Sequence, residues 1–102
     1  MKPRSVVISP EAAADLLRLY DWIAEAGSPN AALAYLERIE AHLNGYALAS
    51  ERGTKRDDIR PGMRISGFER RITIAFTVEA ERVTILRLLY GGQDWERPFE
   101  GA

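Results

Sequence analysis

Cysteine is absent from this sequence of 102 residues, and histidine occurs once, as His42. Without cysteine there is no disulfide scaffold, no thiolate zinc site and no cysteine nucleophile. A single histidine excludes any site that needs two imidazole groups. No apolar run approaches the roughly 18 residues of a membrane helix, and the N-terminus lacks a signal peptide's apolar stretch. We expect one cytoplasmic globular domain, residues 1–102, with no cofactor and no metal.

Net charge is also nearly absent, because 14 basic residues meet 15 acidic ones. The charges are unevenly distributed along the chain. Residues 10–50 hold six acidic and two basic side chains, a net charge of −4, whereas residues 51–87 hold nine basic and six acidic ones, a net charge of +3. Both a pair of oppositely charged surfaces and ordinary solvated faces fit this pattern. The overall balance disfavours an RNA-binding role, which needs a positive surplus.

Two segments begin with Ser-Pro, at Ser9 and Ser28, and continue at helical spacing. Serine caps unpaired backbone N–H groups, and proline has the φ of a first helical turn. Gly27 is expected to end the first helix in the left-handed conformation. The short connection predicts an antiparallel helical hairpin. The predicted buried faces are Ala13, Leu16, Leu17, Tyr20, Ile23 and Ala24 in the first helix, and Ala32, Tyr35, Leu36, Ile39, Leu43 and Tyr46 in the second.

Alternating apolar and β-branched residues predict four strands. One precedes the hairpin, at residues 4–8, and three follow a charged connector that extends from residue 50 to residue 62. The last strand, residues 83–90, is apolar on both sides, which predicts a central position covered on both faces. The predicted fold class is therefore α+β, in the order β-α-α-β-β-β. The helical hairpin packs on one face of a small, mainly antiparallel sheet.

Arg64, Arg87 and Tyr90 stand out because they lie within or at the end of apolar strands. A charged arginine in such a strand must pair with an anion or reach water. One interpretation is that Arg64 and Arg87 converge on the open face of the sheet and bind phosphate or a partner's carboxylate. The other is internal ion pairing, for example with Asp57, Asp58 or a carboxylate of the tail.

Other apolar side chains exceed what one buried helix face needs. Leu19 and Trp22 lie off the predicted buried face of the first helix, which indicates a docking surface. Trp22 would also fit over the hairpin or a strand edge. Trp95 and Phe99 in the tail either seal the core or contact a partner. His42 is expected on the solvated side of the second helix, without a metal.

Taken together, these segments resemble the ParE branch of the ParE/RelE toxin superfamily, over roughly residues 6–94. The resemblance implies the toxin half of a type II toxin–antitoxin system. Its partner would be a ParD-like antitoxin with a ribbon-helix-helix DNA-binding part and a C-terminal segment that wraps the toxin. The segments that carry the resemblance are Val7 to Ala12, Asp15-Leu16, Tyr20 to Ile23, Ser28 to Ala32, Arg56 to Arg64 and Val83 to Gly91.

ParE toxins inhibit DNA gyrase and block replication, whereas RelE-type relatives cut mRNA on the ribosome. In the nuclease relatives a cluster of basic and acid/base side chains on the open sheet face acts on RNA. Arg64 and Arg87 fall at similar positions, but Tyr90 stands where many relatives have histidine. Tyrosine titrates near pH 10, so it is a poor base at neutral pH. The resemblance and the charge favour a gyrase-binding toxin over a nuclease.

The resemblance also implies a set of contacts. We expect the antitoxin to contact Leu19, Trp22, Tyr35, Arg64 and Arg87, and we name Trp95 and Phe99 as candidates for contact with gyrase. Contact with DNA would then be indirect, through the antitoxin or gyrase. Two alternatives stay open: a ribosome-dependent mRNA endonuclease that uses Arg64, Arg87 and Tyr90, and an inactive remnant that only binds the antitoxin.

Overall fold

A helical hairpin packs against one face of a five-stranded sheet in the computed structural model, which describes residues 3–91 and 96–99. The strand order is β1-β5-β4-β3-β2, with β1 parallel to β5 and the other pairs antiparallel. The predicted α+β class is confirmed, and the predicted connector additionally contains the two-residue strand β2. The elements in chain order are β1 (Ser5–Ile8), α1 (Pro10–Ala26), α2 (Pro29–Asn44), a 3-10 helix (Gly45–Ala47), β2 (Thr54–Lys55), β3 (Met63–Phe68), β4 (Ile72–Val78), β5 (Arg82–Tyr90) and a second 3-10 helix (Arg97–Phe99).

Both helices begin with the caps that the sequence predicts. The hydroxyl of Ser9 accepts the backbone N–H of Ala12 at 3.0 Å, and the hydroxyl of Ser28 accepts that of Ala31 at 3.1 Å. Each bond satisfies an N–H group that has no partner within its own helix. Gly27 follows the last residue of α1, as predicted, but its φ of −132° is not left-handed. The prediction that Gly27 is left-handed is therefore wrong.

The buried face of α1 differs from the prediction. Ala12, Asp15 and Leu19 are its buried residues, whereas Leu17, which was placed on the buried face, is 68% exposed. The buried face is rotated around the helix from the predicted one because it includes the carboxylate of Asp15. A prediction from the spacing of apolar side chains leaves a carboxylate out. Leu19 therefore belongs to the core instead of lying off it.

The buried face of α2 follows the prediction closely. Its buried residues are Ala32, Tyr35, Ile39 and Leu43, and Tyr46 is buried just beyond it in the 3-10 helix. All of these side chains except that of Ala32 meet the sheet residues Ile74, Phe76, Val83 and Ile85 in one core cluster. Among the described residues, no helix has the length and apolar composition to cross a membrane.

A β-bulge in β5 decides which of its side chains face the helices. Phe76 of β4 pairs with Ile85, but its neighbour Ala75 pairs with Arg87, so that Leu86 is an extra residue. Strict alternation from Ile85 would turn Arg87 towards the core. The bulge instead turns Leu88 inward, where it is 3% exposed, and lets Arg87 leave the core. Leu89, on the other face, is 5% exposed, which confirms that β5 is buried on both faces at this point.

Candidate functional site

A groove lies beside α1, built from two adjoining clefts that share Trp22 and Tyr90. We refer to these two clefts as the α1 groove. Six residues of α1 line it at positions 15, 18, 19, 22, 23 and 26, the spacing of a single helix face. The first cleft, of about 410 Å³, lies between α1 and the end of β5. The second, of about 420 Å³, lies between the two helices near Gly27 and also reaches Arg71.

Trp22 and Tyr90 form an aromatic pair between the clefts. Their ring centroids are 4.6 Å apart, with an angle of 49° between the ring planes. Trp22 keeps 49% of its surface exposed in spite of this contact. Because a second ring already holds this tryptophan in place, its side chain loses little conformational entropy when a partner binds. An exposed, ordered tryptophan is typical of a docking residue.

A buried carboxylate organises the first cleft. Asp15 is 4% exposed, and its oxygens accept Nε of Arg87 at 2.8 Å and Nη2 of Arg87 at 3.0 Å. The same carboxylate accepts the backbone N–H of Leu88 at 2.8 Å. It also accepts a hydrogen bond from the guanidinium of Arg18, one turn further along α1. The pKa of Arg87 is raised by this hydrogen bond to Asp15 and by its charge. The internal ion-pair interpretation of Arg87 is therefore correct, although the partner is Asp15 and not Asp57, Asp58 or a tail carboxylate.

The second cleft contains a buried hydroxyl group. Tyr35 is 7% exposed, and its hydroxyl has no hydrogen-bond partner among the residues that the structure describes. Arg38 lies over the ring, with its guanidinium carbon 4.9 Å from the centroid, and pairs with Glu69 at 3.0 Å. Burial raises the pKa of Tyr35, and the charge of Glu69 adds to this effect. The hydroxyl is therefore a hydrogen-bond donor at neutral pH.

Arg64 does not join this site. It pairs across the sheet with Phe76, whereas Arg87 pairs with Ala75, and neighbouring residues of β4 point to opposite faces. Nε of Arg64 donates to the backbone carbonyl of Arg52 at 2.8 Å. The prediction that Arg64 and Arg87 converge on the open sheet face is therefore wrong. The bulge in β5 and the phase of β3 separate them.

Most of the other predicted contact residues meet at the α1 groove. Leu19, Trp22 and Arg87 line its first cleft, and Trp22 and Tyr35 line its second. Leu19 and Tyr35 do so as buried walls, so the prediction of Leu19 as an exposed docking residue is wrong. Asp15, Arg38 and Arg71 also line the groove but were missed. Of these three, only Asp15 had a signal in the sequence. It lies three residues after Ala12 and four before Leu19, which is the spacing of one helix face.

The tail contacts the charged connector before β3 through Phe99 and Glu96. Phe99 is half-buried, and the guanidinium carbon of Arg60 lies 5.1 Å from its ring centroid. Arg56 holds the same segment, because its Nη1 donates to Glu96 at 2.9 Å while the rest of its guanidinium binds Asp58. Trp95 lies outside the described residues.

His42 is half-buried, which corrects its predicted solvated position. Its Nε2 lies 3.3 Å from the hydroxyl of Tyr46, and its ring packs on Phe68 at 4.9 Å between centroids. Burial lowers the pKa of His42, and the charge of Arg52 lowers it further. Within residues 3–91 and 96–99, no three His, Cys, Asp or Glu side chains are grouped to hold a metal ion.

Comparison with known proteins adds two findings. A family model described as the ParE toxin of the type II toxin–antitoxin system parDE matches residues 6–95. A solved structure described as the chromosomal ParDE TA system from P. aeruginosa is similar with a TM-score of 0.75 and 26% sequence identity. The match covers 88% of this chain and 98% of that chain. A comparison with curated protein sequences found no match.

Proposed function

Because the chain belongs to the family of ParE toxins of type II toxin–antitoxin systems, we propose that it inhibits DNA gyrase and thereby blocks replication. The family match over residues 6–95 is the observation that carries this proposal. Gyrase acts on the chromosome, so the proposed place of action is the cytoplasm. The toxin would act by binding and by stabilising the cleaved complex of gyrase with DNA.

The arrangement of the basic residues supports binding over RNA cleavage. A nuclease of the related type would need Arg64, Arg87 and Tyr90 around one phosphate. Arg64 and Arg87 lie on opposite faces of the sheet, and the guanidinium of Arg87 is held by Asp15. Tyr90 packs its ring on Trp22. These three side chains do not form a cluster that could orient a phosphate and move its protons.

We also propose that a ParD-like ribbon-helix-helix antitoxin neutralises this toxin and covers the α1 groove. Four arginines line the groove, Arg18, Arg38, Arg71 and Arg87, whereas two carboxylates face them: Asp15, which pairs with Arg18 and Arg87, and Glu69, which pairs with Arg38. This surplus attracts an acidic segment, and Trp22 offers it an apolar contact. Leu19, Trp22, Tyr35 and Arg87 would contact the antitoxin in the groove, and Arg64 would do so elsewhere. Contact with DNA would come only through the antitoxin or gyrase.

The second 3-10 helix, Arg97–Phe99, is our proposed region of contact with gyrase, together with Trp95. Phe99 packs under Arg60, and Arg56 ties Glu96 to the connector before β3. This places an aromatic side chain beside a basic segment, and residues 96–99 are not among those that line the α1 groove. A toxin with two separate surfaces would be able to hold gyrase while the groove is empty.

The direct test is a supercoiling and cleavage assay with purified gyrase and the full chain. We expect loss of supercoiling and accumulation of linear, cleaved plasmid as the toxin is added. A Phe99→Ala variant should lose this effect, whereas Arg82→Gln, an exposed change on β5, should keep it. Normal supercoiling at saturating toxin would overturn the proposal.

Induction in cells separates the alternatives. A gyrase inhibitor should raise DNA-damage signalling while bulk mRNA stays intact. Prompt loss of mRNA without DNA damage would instead identify a ribosome-dependent nuclease. Unchanged colony counts after induction without the antitoxin would identify an inactive, antitoxin-binding remnant.

A further inference from the structure

A separate cleft of about 270 Å³ lies at the end of the sheet where β3 begins and β4 ends. We refer to it as the β3 cleft. Three basic side chains line it: Arg4 from the segment before β1, Lys55 from β2 and Arg64 from β3. The β3 cleft shares no lining residue with the α1 groove. Its basic side chains therefore need an explanation of their own.

Two of these cations face each other across the sheet. Lys55 and Arg64 are direct cross-strand partners of β2 and β3. Directly opposed residues project from the same face of a sheet, and like charges in this arrangement destabilise the strand pair. Because β2 has only two residues, this pair is half of its register with β3. An anion bound between the two cations would remove the repulsion.

Backbone carbonyls, and not carboxylates, hold the two arginines of the β3 cleft. Nε of Arg4 donates to the carbonyl of Glu79 at 2.8 Å, and Nε of Arg64 donates to that of Arg52 at 2.8 Å. Among the residues that the structure describes, neither these guanidinium groups nor the ammonium of Lys55 forms an ion pair. The bonds at Nε orient both guanidinium groups and leave their Nη atoms for a ligand.

Three carboxylates also line the β3 cleft, and two of them bind other groups. Asp57 accepts the backbone N–H of Gly62 at 2.8 Å, and Glu79 pairs with Arg82 at 3.4 Å. Glu51 is the third. When Arg82 is counted with its partner Glu79, four cations meet three carboxylates. The cleft therefore keeps a surplus of positive charge, which suits one anionic group.

We propose that the β3 cleft binds one phosphate group, held by the guanidinium groups of Arg4 and Arg64 and by the ammonium of Lys55. A phosphate group offers several acceptor oxygens to donors that arrive from three segments of the chain, and the fork of an arginine fits two of them at once. The bound group would also neutralise the like-charge pair between β2 and β3. It belongs either to a free nucleotide or to the backbone of a nucleic acid, since both present the same chemistry. This inference does not depend on the proposed function.

NMR titration of the full chain with inorganic phosphate tests the site, and sodium chloride at equal ionic strength is the control. Phosphate should shift the Nε–H resonances of Arg4 and Arg64, with a Kd in the millimolar range for so small an ion. Lys55→Gln should weaken this binding about fivefold, because one charge contact is lost. Arg38→Gln, outside the β3 cleft, should leave the Kd unchanged. Shifts no larger than those with chloride, or an unchanged Kd in Lys55→Gln, would overturn the proposal.

The like-charge pair gives a second readout, in the stability of the protein. Without phosphate, Lys55→Gln should raise the urea midpoint, because it removes the repulsion with Arg64. Added phosphate should then raise the midpoint of the unaltered chain more than that of the variant, because a ligand stabilises the folded protein that binds it. A lower midpoint for Lys55→Gln without phosphate would contradict the repulsion, and equal phosphate effects in both proteins would contradict the site.

Two further ligands distinguish the sources of the phosphate group. Adenosine 5′-monophosphate represents a free nucleotide, and a short DNA duplex represents a nucleic-acid backbone. Binding that Lys55→Gln weakens supports the β3 cleft, and the ligand that binds more tightly names the source. Binding of both ligands that is unchanged in Lys55→Gln would place them elsewhere on the protein and refute the site. The gyrase assay does not enter these titrations, so either proposal is open to refutation without the other.

Discussion

The carboxylate of Asp15 accepts the backbone N–H of Leu88 at 2.8 Å and thereby links α1 to the bulged part of β5. β1 pairs with β5 only from Arg82 to Ile85, so the next residues of β5 lack a neighbouring strand on that side. Asp15 supplies an acceptor there, and the hydroxyl of Ser9 donates to the carbonyl of Leu86 at 2.9 Å. Side chains at the start of α1 thus satisfy a strand edge that would otherwise invite another chain to pair.

Replacement of Asp15 should test this link. Asp15→Asn keeps an acceptor for Leu88 but leaves the guanidinium of Arg87 without its counter-charge. We expect a loss of about 2–3 kcal/mol in the free energy of unfolding, because an ion left without its partner in a largely buried pair is strongly destabilising. Urea denaturation measures this loss. Asp21→Asn, an exposed change on the same helix, should stay within about 0.5 kcal/mol, and an equal loss in both variants would contradict the special role of Asp15.

Tyr35→Phe should make the isolated toxin more stable, by about 1 kcal/mol, since it removes a buried hydroxyl that has no partner. The matched control is Tyr46→Phe. The hydroxyl of Tyr46 bonds to Ser66 and lies 3.3 Å from Nε2 of His42, so its removal should destabilise by about 1 kcal/mol. Thermal or urea unfolding of both variants gives the two signs. Destabilisation by Tyr35→Phe would show that its hydroxyl has a partner in the folded protein.

The turn between β3 and β4 should accept glycine at position 70. Glu69 and Arg70 have φ values of +49° and +59°, which are strained for residues with a side chain. Arg71 N–H donates to the carbonyl of Phe68, so Glu69 and Arg70 are the two central residues of a β-turn, and a turn with both of these φ values positive favours glycine at the second of them. Arg70→Gly should therefore stabilise the protein by about 1 kcal/mol. Glu81→Gly, in the loop between β4 and β5 and without a positive φ, should destabilise it, and a loss in both variants would contradict this account.

Stability should fall as the pH drops below about 6.5, because the pKa of folded His42 is lowered, first by burial and then by the charge of Arg52. The unfolded chain takes up this proton more readily than the folded one. This destabilisation by His42 is therefore absent above the pKa of the unfolded chain. It grows as the pH falls and levels off below the pKa of the folded protein. Urea midpoints at several pH values measure it. His42→Gln, which removes the only histidine, should lose this part of the pH dependence, and an identical profile in both proteins would contradict it.

Trp22 should contribute more to antitoxin binding than Arg18 does. Both line the first cleft, but Trp22 offers a large exposed ring held by Tyr90, whereas Arg18 is 65% exposed and already pairs with Asp15. We expect Trp22→Ala to cost about 2 kcal/mol of binding free energy and Arg18→Ala less than about 1 kcal/mol. Calorimetric titration with the proposed ParD-like antitoxin measures both. An equal or larger loss for Arg18→Ala would contradict the placement of the antitoxin on Trp22.

Local chemistry explains why so much of the fold was predictable. The caps at Ser9 and Ser28, the spacing of the α2 core and the alternation of β4 depend on residues close in sequence. The errors came from contacts between distant elements. The buried face of α1 depends on the hydrogen bonds of Asp15 with Arg87 and Leu88, which are 72 and 73 residues away in sequence. Composition cannot show that a carboxylate belongs to a core.

The sequence by itself determined the α+β class, the helical hairpin and the likeness to ParE toxins, because helix caps, hydrophobic periods and chain order are local properties. Only the tertiary structure decided which groups the side chains of Arg64 and Arg87 bind. The bulge at Leu86 shifts the register of β5 so that Arg87 meets the buried carboxylate of Asp15, whereas Arg64 donates to the backbone carbonyl of Arg52. The meeting of Tyr35, Arg71 and Trp22 at one groove was likewise decided by the packing of α1 and α2 on the sheet. A one-residue shift in strand register reverses the face of a side chain, and no local pattern specifies that shift.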